Sequence, residues 1–282
     1  MQGSRMRTCI FPGESMNLGI SIRNMGPQSS REIVTECAVC ADQAGLDSLW
    51  ITEHIAIPPD DAEGSEGRYL DPLITLSYLA AKTERIKLGT GVLILPYRPP
   101  VVTGKLVATL QELSNERIQL GVGIGWMKSE FRALGINLRK RVSDSERVLS
   151  FLLEAFDNHI VSQHDQPFIF SPRPAKPPII IGGAAPHAIE RAVKFGDGWI
   201  PMGLKPEVLK PLAQDYRAQT RDAGLADPQI VVMTGLPLQD PGRTRDVIDT
   251  YQEAGATTLV HGQRYDKASQ LQDSIETLGQ LI

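Results

Sequence analysis

The sequence predicts a single (β/α)8 barrel, an α/β TIM-barrel fold. Three observations point to it. About eight short apolar segments rich in β-branched residues alternate with about eight segments of helical period. The apolar segments lack an inside–outside alternation, as parallel strands covered on both faces require, and the connections are long enough for helical crossovers. The 282 residues match one barrel of this kind, which typically takes about 250. A doubly wound open sheet is the competing architecture and accommodates eight units less naturally.

Taken in order, residues 16–23, MNLGISIR, form the first strand. Residues 29–44 form a helix capped by Ser29 or Ser30 and stopped by Gly45. The second strand, 46–53, ends in the polar pair Glu53–His54, and a loop rich in Pro, Asp, Glu and Gly runs to Leu70. Asp71 caps a helix through Lys82, with Pro72 in its first turn. Residues 85–95, RIKLGTGVLIL, are the third strand, 99–113 a helix, and Arg117 opens the fourth strand. A short helix, 128–134, and a longer one, 142–156, follow. Residues 157–177 are polar and Pro-rich and read as an insertion, with the run PFIF as part of a hairpin. Strands at 178–183, 197–202, 229–234 and 257–261 then alternate with helices at 185–195, 206–223, 243–254 and 266–281. Residues 1–15 fit no element and read as a disordered extension. Met16 directly precedes the first strand and is the expected native start.

The fourth strand and its exit, RIQLGVGIGWMKSE, carry the densest chemical signal. Ile118, Leu120, Val122 and Ile124 share one face, and Gly121, Gly123 and Gly125 share the other. A bare strand face marks close approach by a ligand or by another stretch of backbone. Read as a cofactor face, it admits a flat ring that Trp126 would wall; the competing reading is tight packing inside a barrel. The spacing G-x-G-x-G lies within a strand and lacks the third glycine of a dinucleotide loop.

In such barrels chemistry lies at the C-terminal ends of the strands. That rule selects Glu53 and His54, Gly89–Val92, Gly121–Trp126, Gly182–Ala185, Trp199–Met202, Thr234 and His261. His54 is the candidate acid–base group or ring-orienting donor, against the plainer role of a satisfied strand-end histidine. Only one of Glu53 and His54 should face the mouth, because they are adjacent. Trp126 and Trp199 either flank a ring or pack at the rim. Gly182–Gly183–Ala184–Ala185 ends a strand and opens a helix, where free N–H groups and small residues suit a phosphate; Arg191 adds charge or solvates the helix surface.

Composition bounds the rest. The 41% hydrophobic content suffices for a core, and a net charge of −4 without a basic run argues against nucleic acid. No apolar stretch approaches the roughly 20 residues that span a bilayer, and no secretory signal precedes the first strand, so a cytoplasmic protein is expected. Cys37 and Cys40 lie mid-helix, where small buried residues are the expected role rather than a redox pair. No second Cys or His pair sits at zinc spacing.

The stretches AGLDSLWITEH, DPLITLSYLAAKTERIKLGTGVLILPYRPPV, KLVATLQELSNERIQLGVGIGWMKSEFRALG and PPIIIGGAAPHAIERAVKFGDGWIP resemble, in this order, the bacterial luciferase-like monooxygenase superfamily, and in particular its coenzyme F-420-dependent branch. They cover most of residues 44–202; the last third matches in rhythm only. The resemblance implies a barrel with an insertion near 157–177 and an F-420 or FMN cofactor across its mouth. It implies a third-strand bulge at Gly89, Thr90, Gly91 and Val92 that backs the ring, often with a non-prolyl cis peptide. It places His54 near the ring's reactive edge and Gly182, Gly183, Ala184 and Ala185 at the phosphate. The expected activity is hydride transfer to or from a small organic substrate. The alternatives are an FMN monooxygenase fed by a separate flavin reductase and a flavin-binding barrel without turnover. A homodimer is expected. Two departures stand out. Glu116 replaces the usual small residue of the turn before the fourth strand. The glutamate that the branch's sugar-phosphate dehydrogenases carry near the position of Trp126 is missing, which argues against that substrate chemistry.

Overall fold

The computed structural model describes residues 16–282; the predicted extension at 1–15 lies outside the described residues. β1 (Asn17–Ser21) leads into α1 (Arg31–Gln43), and β2 (Ser48–Ile51) into α2 (Pro72–Ala80). β3 (Lys87–Thr90) breaks and resumes as β4 (Leu93–Ile94) before α3 (Pro100–Leu113). β5 (Ile118–Gly123) is followed by α4 (Lys128–Ala133), α5 (Arg141–Asp157) and a hairpin of β6 (Ile160–Gln163) and β7 (Gln166–Ile169). Then come β8 (Ile179–Gly182), α6 (His187–Phe195), β9 (Gly198–Ile200), α7 (Pro206–Asp222), β10 (Gln229–Thr234), α8 (Pro241–Glu253), β11 (Thr258–His261) and α9 (Ala268–Gly279).

Parallel pairing runs β1–β2–β3–β5–β8–β9–β10–β11 and returns to β1, so the barrel closes with no free edge. The expected caps are present: Ser30 accepts the Ile33 N–H, and the Asp71 carboxylate accepts that of Ile74 at 3.0 Å. α8 begins at Pro241, ahead of the expected 243, because Asp240 caps it. The insertion forms the expected hairpin, and Phe168 and Phe170 pack it onto Phe151 of α5. Cys37 is buried within α1, and burial pushes its thiol up to about 12; Cys40 is half-buried on the same helix. No helix among the described residues is long and apolar enough to cross a membrane.

Each strand divides its side chains between two cores. Leu18, Ile20, Leu49, Ile51, Leu120 and Val122 face outward and pack with the helices. Trp50, Ile180, Ile200, Val231 and Val260, joined by Val92 and Met233, fill the bore. The glycines belong to the bore face. A methyl group at Gly121 would run into the Thr90 carbonyl oxygen, and one at Gly123 would sit 2.6 Å from Val92 Cγ2. Trp50 covers Gly89, Met233 covers Gly91, and Val92 also covers Gly182. Backbone and side chains of the chain itself thus lie directly against the bare face of β5.

The cause is a break in the third strand, at the bulge over Gly89–Val92 that the family resemblance implies, where apolar pattern alone reads one piece over 85–95. The Gly91–Val92 peptide is cis, and the chain there bulges into the bore. Thr90 Oγ1 anchors the bulge by donating to the Gly121 carbonyl at 2.7 Å. β3 pairs with both β2 and β5, but β4 pairs with β5 alone.

Candidate functional site

Alternation along β2 carries Ser48 and Trp50 inward and Leu49 and Ile51 outward, so His54 continues the inward row and Glu53 the outward one. The structure agrees. His54 Nδ1 lies 3.0 Å from Glu130 Oε2, at the start of α4. An ionised carboxylate only accepts, so Nδ1 carries a proton and Nε2 remains without a partner among the described residues. Glu130 has 0% exposure, yet four donors converge on it: His54, the Ile55 N–H, the Ala56 N–H at 3.0 Å and the Tyr97 hydroxyl at 2.8 Å. Burial alone would raise its pKa; those donors outweigh burial and pull it down to about 2. The same carboxylate, after burial, raises the Tyr97 phenol above its ordinary value.

Tyr69 stands edge-on to the His54 ring at 5.0 Å, and Trp126 does so at 6.2 Å. Trp126 is 72% exposed and therefore stands at the rim beside His54. Gly125, which the alternation placed on the same face as Gly121, leaves the strand at φ +71° and packs against Ile94 and Phe131. Glu53 turns the other way. It accepts the Ile94 N–H at 2.5 Å and the Arg98 guanidinium, and Arg98 also pairs with Asp71 at 2.6 Å. Burial raises the Glu53 pKa despite Arg98. Its role is to fix the chain where it leaves the bulge.

Two residues selected by strand-end position turn away from the mouth. Trp199 is fully buried on the outward face, stacks edge-on against Tyr216 and donates its indole N–H to the Gly183 carbonyl at 2.8 Å. It supports the turn from the outer side of the strand. His261 is buried, accepts the Leu236 N–H at Nδ1 and meets Gln263 at Nε2; burial lowers its pKa. Both were chosen by distance along the strand without regard to face.

The Gly182–Ala185 turn also differs from expectation. α6 starts at His187, later than the expected 185, with Pro186 at its N-cap. The Gly183 N–H is engaged by the Ile200 carbonyl at 3.2 Å, and the Ala188 N–H by the Ala184 carbonyl. Gly183 has φ +136°, a conformation that a side chain disfavours. Positive charge comes instead from side chains of α5 and α6. A cavity of about 650 Å³ beside Gly182, Gly183 and Ala184 is lined by Arg141, Arg191 and Lys194, with Glu146 and Glu190 opposing them. Arg141 Nε and Arg191 Nε are buried and have no partner among the described residues. Arg191 therefore does more than solvate its helix.

Glu130 is the residue of this cluster that the strand-end selection misses, although it is visible at the helix start. A carboxylate in a βα loop on the C-terminal face of the barrel was the available signal.

Residues 16–278 match the family described as luciferase-like monooxygenase, and the chain belongs to that family. An uncharacterized protein of Mycobacterium tuberculosis is 26% identical over 245 residues, covering 80% of this chain and 83% of its own. Among solved structures, a monooxygenase from Streptomyces bottropensis superposes with a TM-score of 0.80 at 18% identity, over 94% of this chain and 98% of that one. An F420-dependent secondary alcohol dehydrogenase in complex with an F420-acetone adduct superposes with a TM-score of 0.78 at 14% identity, over 95% and 98% of the two chains. At these identities the two structures establish the shared barrel.

Proposed function

We propose that the chain is an oxidoreductase that binds F-420 or FMN at the barrel mouth and moves a hydride to or from a small organic substrate beside His54. The observation that carries this reading is the His54–Glu130 pair, which fixes the imidazole tautomer and leaves Nε2 open at the mouth. The cofactor's fit rests on a separate feature. Two guanidinium nitrogens are buried without partners among the described residues, in a cavity beside a turn of small residues, which suits a phosphate. Arg141, Arg191 and Lys194 would hold that phosphate alongside Gly182, Gly183, Ala184 and Ala185. The bulge at Gly89, Thr90, Gly91 and Val92 would back the ring. Gly121 and Gly123 act by giving the bulge its depth, and Gly125 and Trp126 shape the adjoining rim. The ring, when bound, supplies the hydride donor or acceptor.

The protein's part is proton handling and placement. Nε2 of His54 takes the proton of a substrate hydroxyl, and the Glu130 carboxylate stabilises the charged imidazole that results. In the reverse direction the same nitrogen returns the proton. The dehydrogenase structure similar in fold is described with F420 and acetone, which accords with a carbonyl–alcohol pair as substrate class.

Titration of the apoprotein with FMN, F-420 and their phosphate-free counterparts, riboflavin and the bare deazaflavin core, tests this. One phosphorylated cofactor should bind at least about tenfold tighter than its counterpart, the size of one charge-assisted contact, and Arg191→Ala should close the gap. Failure of both cofactors to bind overturns the reading.

A further inference from the structure

We propose that Arg23 anchors an anionic group of the substrate, a carboxylate or similar small oxyanion, at the rim of the mouth opposite the cation-lined cavity. This rests on the reading above only for what fills the rest of the mouth. The starting point is the pleat of β1. Leu18, Ile20 and Ile22 pack among the helices. Gly19 faces Trp50 and Ser48 in the bore, and Ser21 follows it inward beside Gly262. Arg23 is therefore the top of the inward row on its strand.

The neighbouring strand places His54 one inward position further toward the mouth. The register Ser21↔Trp50 continues past the strand ends: the Ile22 N–H donates to the Trp50 carbonyl at 2.9 Å, and the Asn24 amide bonds both backbone groups of Thr52, at 2.7 and 3.1 Å. Arg23 is thus beside Thr52 and diagonal to His54, on the adjacent inward row. Tyr69 packs on His54; burial raises its phenol above the ordinary value, and the nearby Arg23 guanidinium opposes that rise only in part.

The guanidinium is held but unsatisfied. Nη2 donates to the Gly64 carbonyl at 3.0 Å, which aims the group, while Nε is buried with no partner among the described residues. No carboxylate among the described residues forms an ion pair with it. Guanidinium carries five N–H donors in a planar fork that matches a carboxylate bidentately. A half-buried arginine at a ligand mouth with one donor used is built to receive an anion.

That anion is not the cofactor's phosphate. Around the ring of eight strands, β8 lies four steps from β1 in either direction, so the cavity beside Gly182 is on the far side of the mouth. Arg23 is next to the proton-handling residue and away from the phosphate, where the substrate's remote end belongs.

The test is a matched panel: benzoate against benzamide and hexanoate against hexanamide, titrated by calorimetry into apoprotein and into protein saturated with whichever cofactor binds. The wild type should prefer the carboxylates by about ten- to a hundredfold, the usual size of a charged hydrogen bond. Arg23→Gln should erase that preference, Arg23→Lys should keep part of it, and cofactor affinity should not change in either. No preference in the wild type across the panel, or a preference that survives in Arg23→Gln, overturns the proposal. A fall in melting temperature with the preference intact also overturns it, because Arg23 would then only pin the loop through Gly64. If neither cofactor binds while an Arg23-dependent preference is measured, the anchor stands and the cofactor reading falls.

Discussion

At the scale of single residues, Glu130 is the most informative group. Its folded pKa of about 2 lies below the ordinary carboxylate value of 4.5. A depressed carboxylate adds stability that is complete above the unfolded pKa and is lost as pH falls through the folded one. The melting temperature should therefore drop between about pH 5 and pH 2, and Glu130→Gln should flatten that acid limb. Thermal melts across that range decide it. The same variant should slow hydride transfer in single turnover by about 10²-fold or more, because the imidazole loses the group that fixes its tautomer. His54→Ala should cost about 10²–10⁴-fold, with only a small fall in melting temperature from the one donor that Glu130 loses. A large loss of melting temperature with a normal rate would make His54 a structural histidine. His54 was legible in the sequence as a polar residue that ends an apolar strand. Its partner was not, because the pairing spans 76 residues and only the closed barrel brings the two together.

At the scale of elements, the glycine face and the bulge form one device. The bare face of β5 is what allows the third strand to fold inward, and the Thr90 carbonyl and Val92 fill the space that side chains would take. Gly123→Ala should then destabilise by about 1–3 kcal/mol, the usual cost of overpacking a filled core. Val92→Ala in that background should recover part of the loss, since the two positions share one contact. Additive destabilisation in a denaturant double-mutant cycle would show that they do not interact. The strand rhythm and most helix bounds were readable from apolar periodicity and caps such as Ser30 and Asp71. The occupant of the bare face was not, because a run of glycines records an absence of side chains and leaves open what comes close. Trp199 and His261 were misplaced for a related reason. Position along a strand locates the mouth, but the inward or outward phase decides which side chains reach it.

At the scale of the whole molecule, stability and chemistry occupy separate layers. α9 lays Leu271, Ile275 and Leu278, all fully buried, against the barrel's outer core, far from the bulge. Ile275→Ala should cost about 2–5 kcal/mol and leave cofactor affinity unaltered, which paired melting and binding curves would show. The filled bore has a kinetic consequence. Trp50, Val92 and Met233 plug the centre of the barrel, so the mouth is a cul-de-sac. Molecules that share a cul-de-sac leave in the reverse of the sequence in which they arrived. In the arrangement proposed above, with a cofactor on the bulge and the substrate over it, the second arrival would bar the exit of the first. Saturating benzoate should therefore slow cofactor escape in a stopped-flow chase, and an escape rate indifferent to benzoate would mean the two have separate ways out.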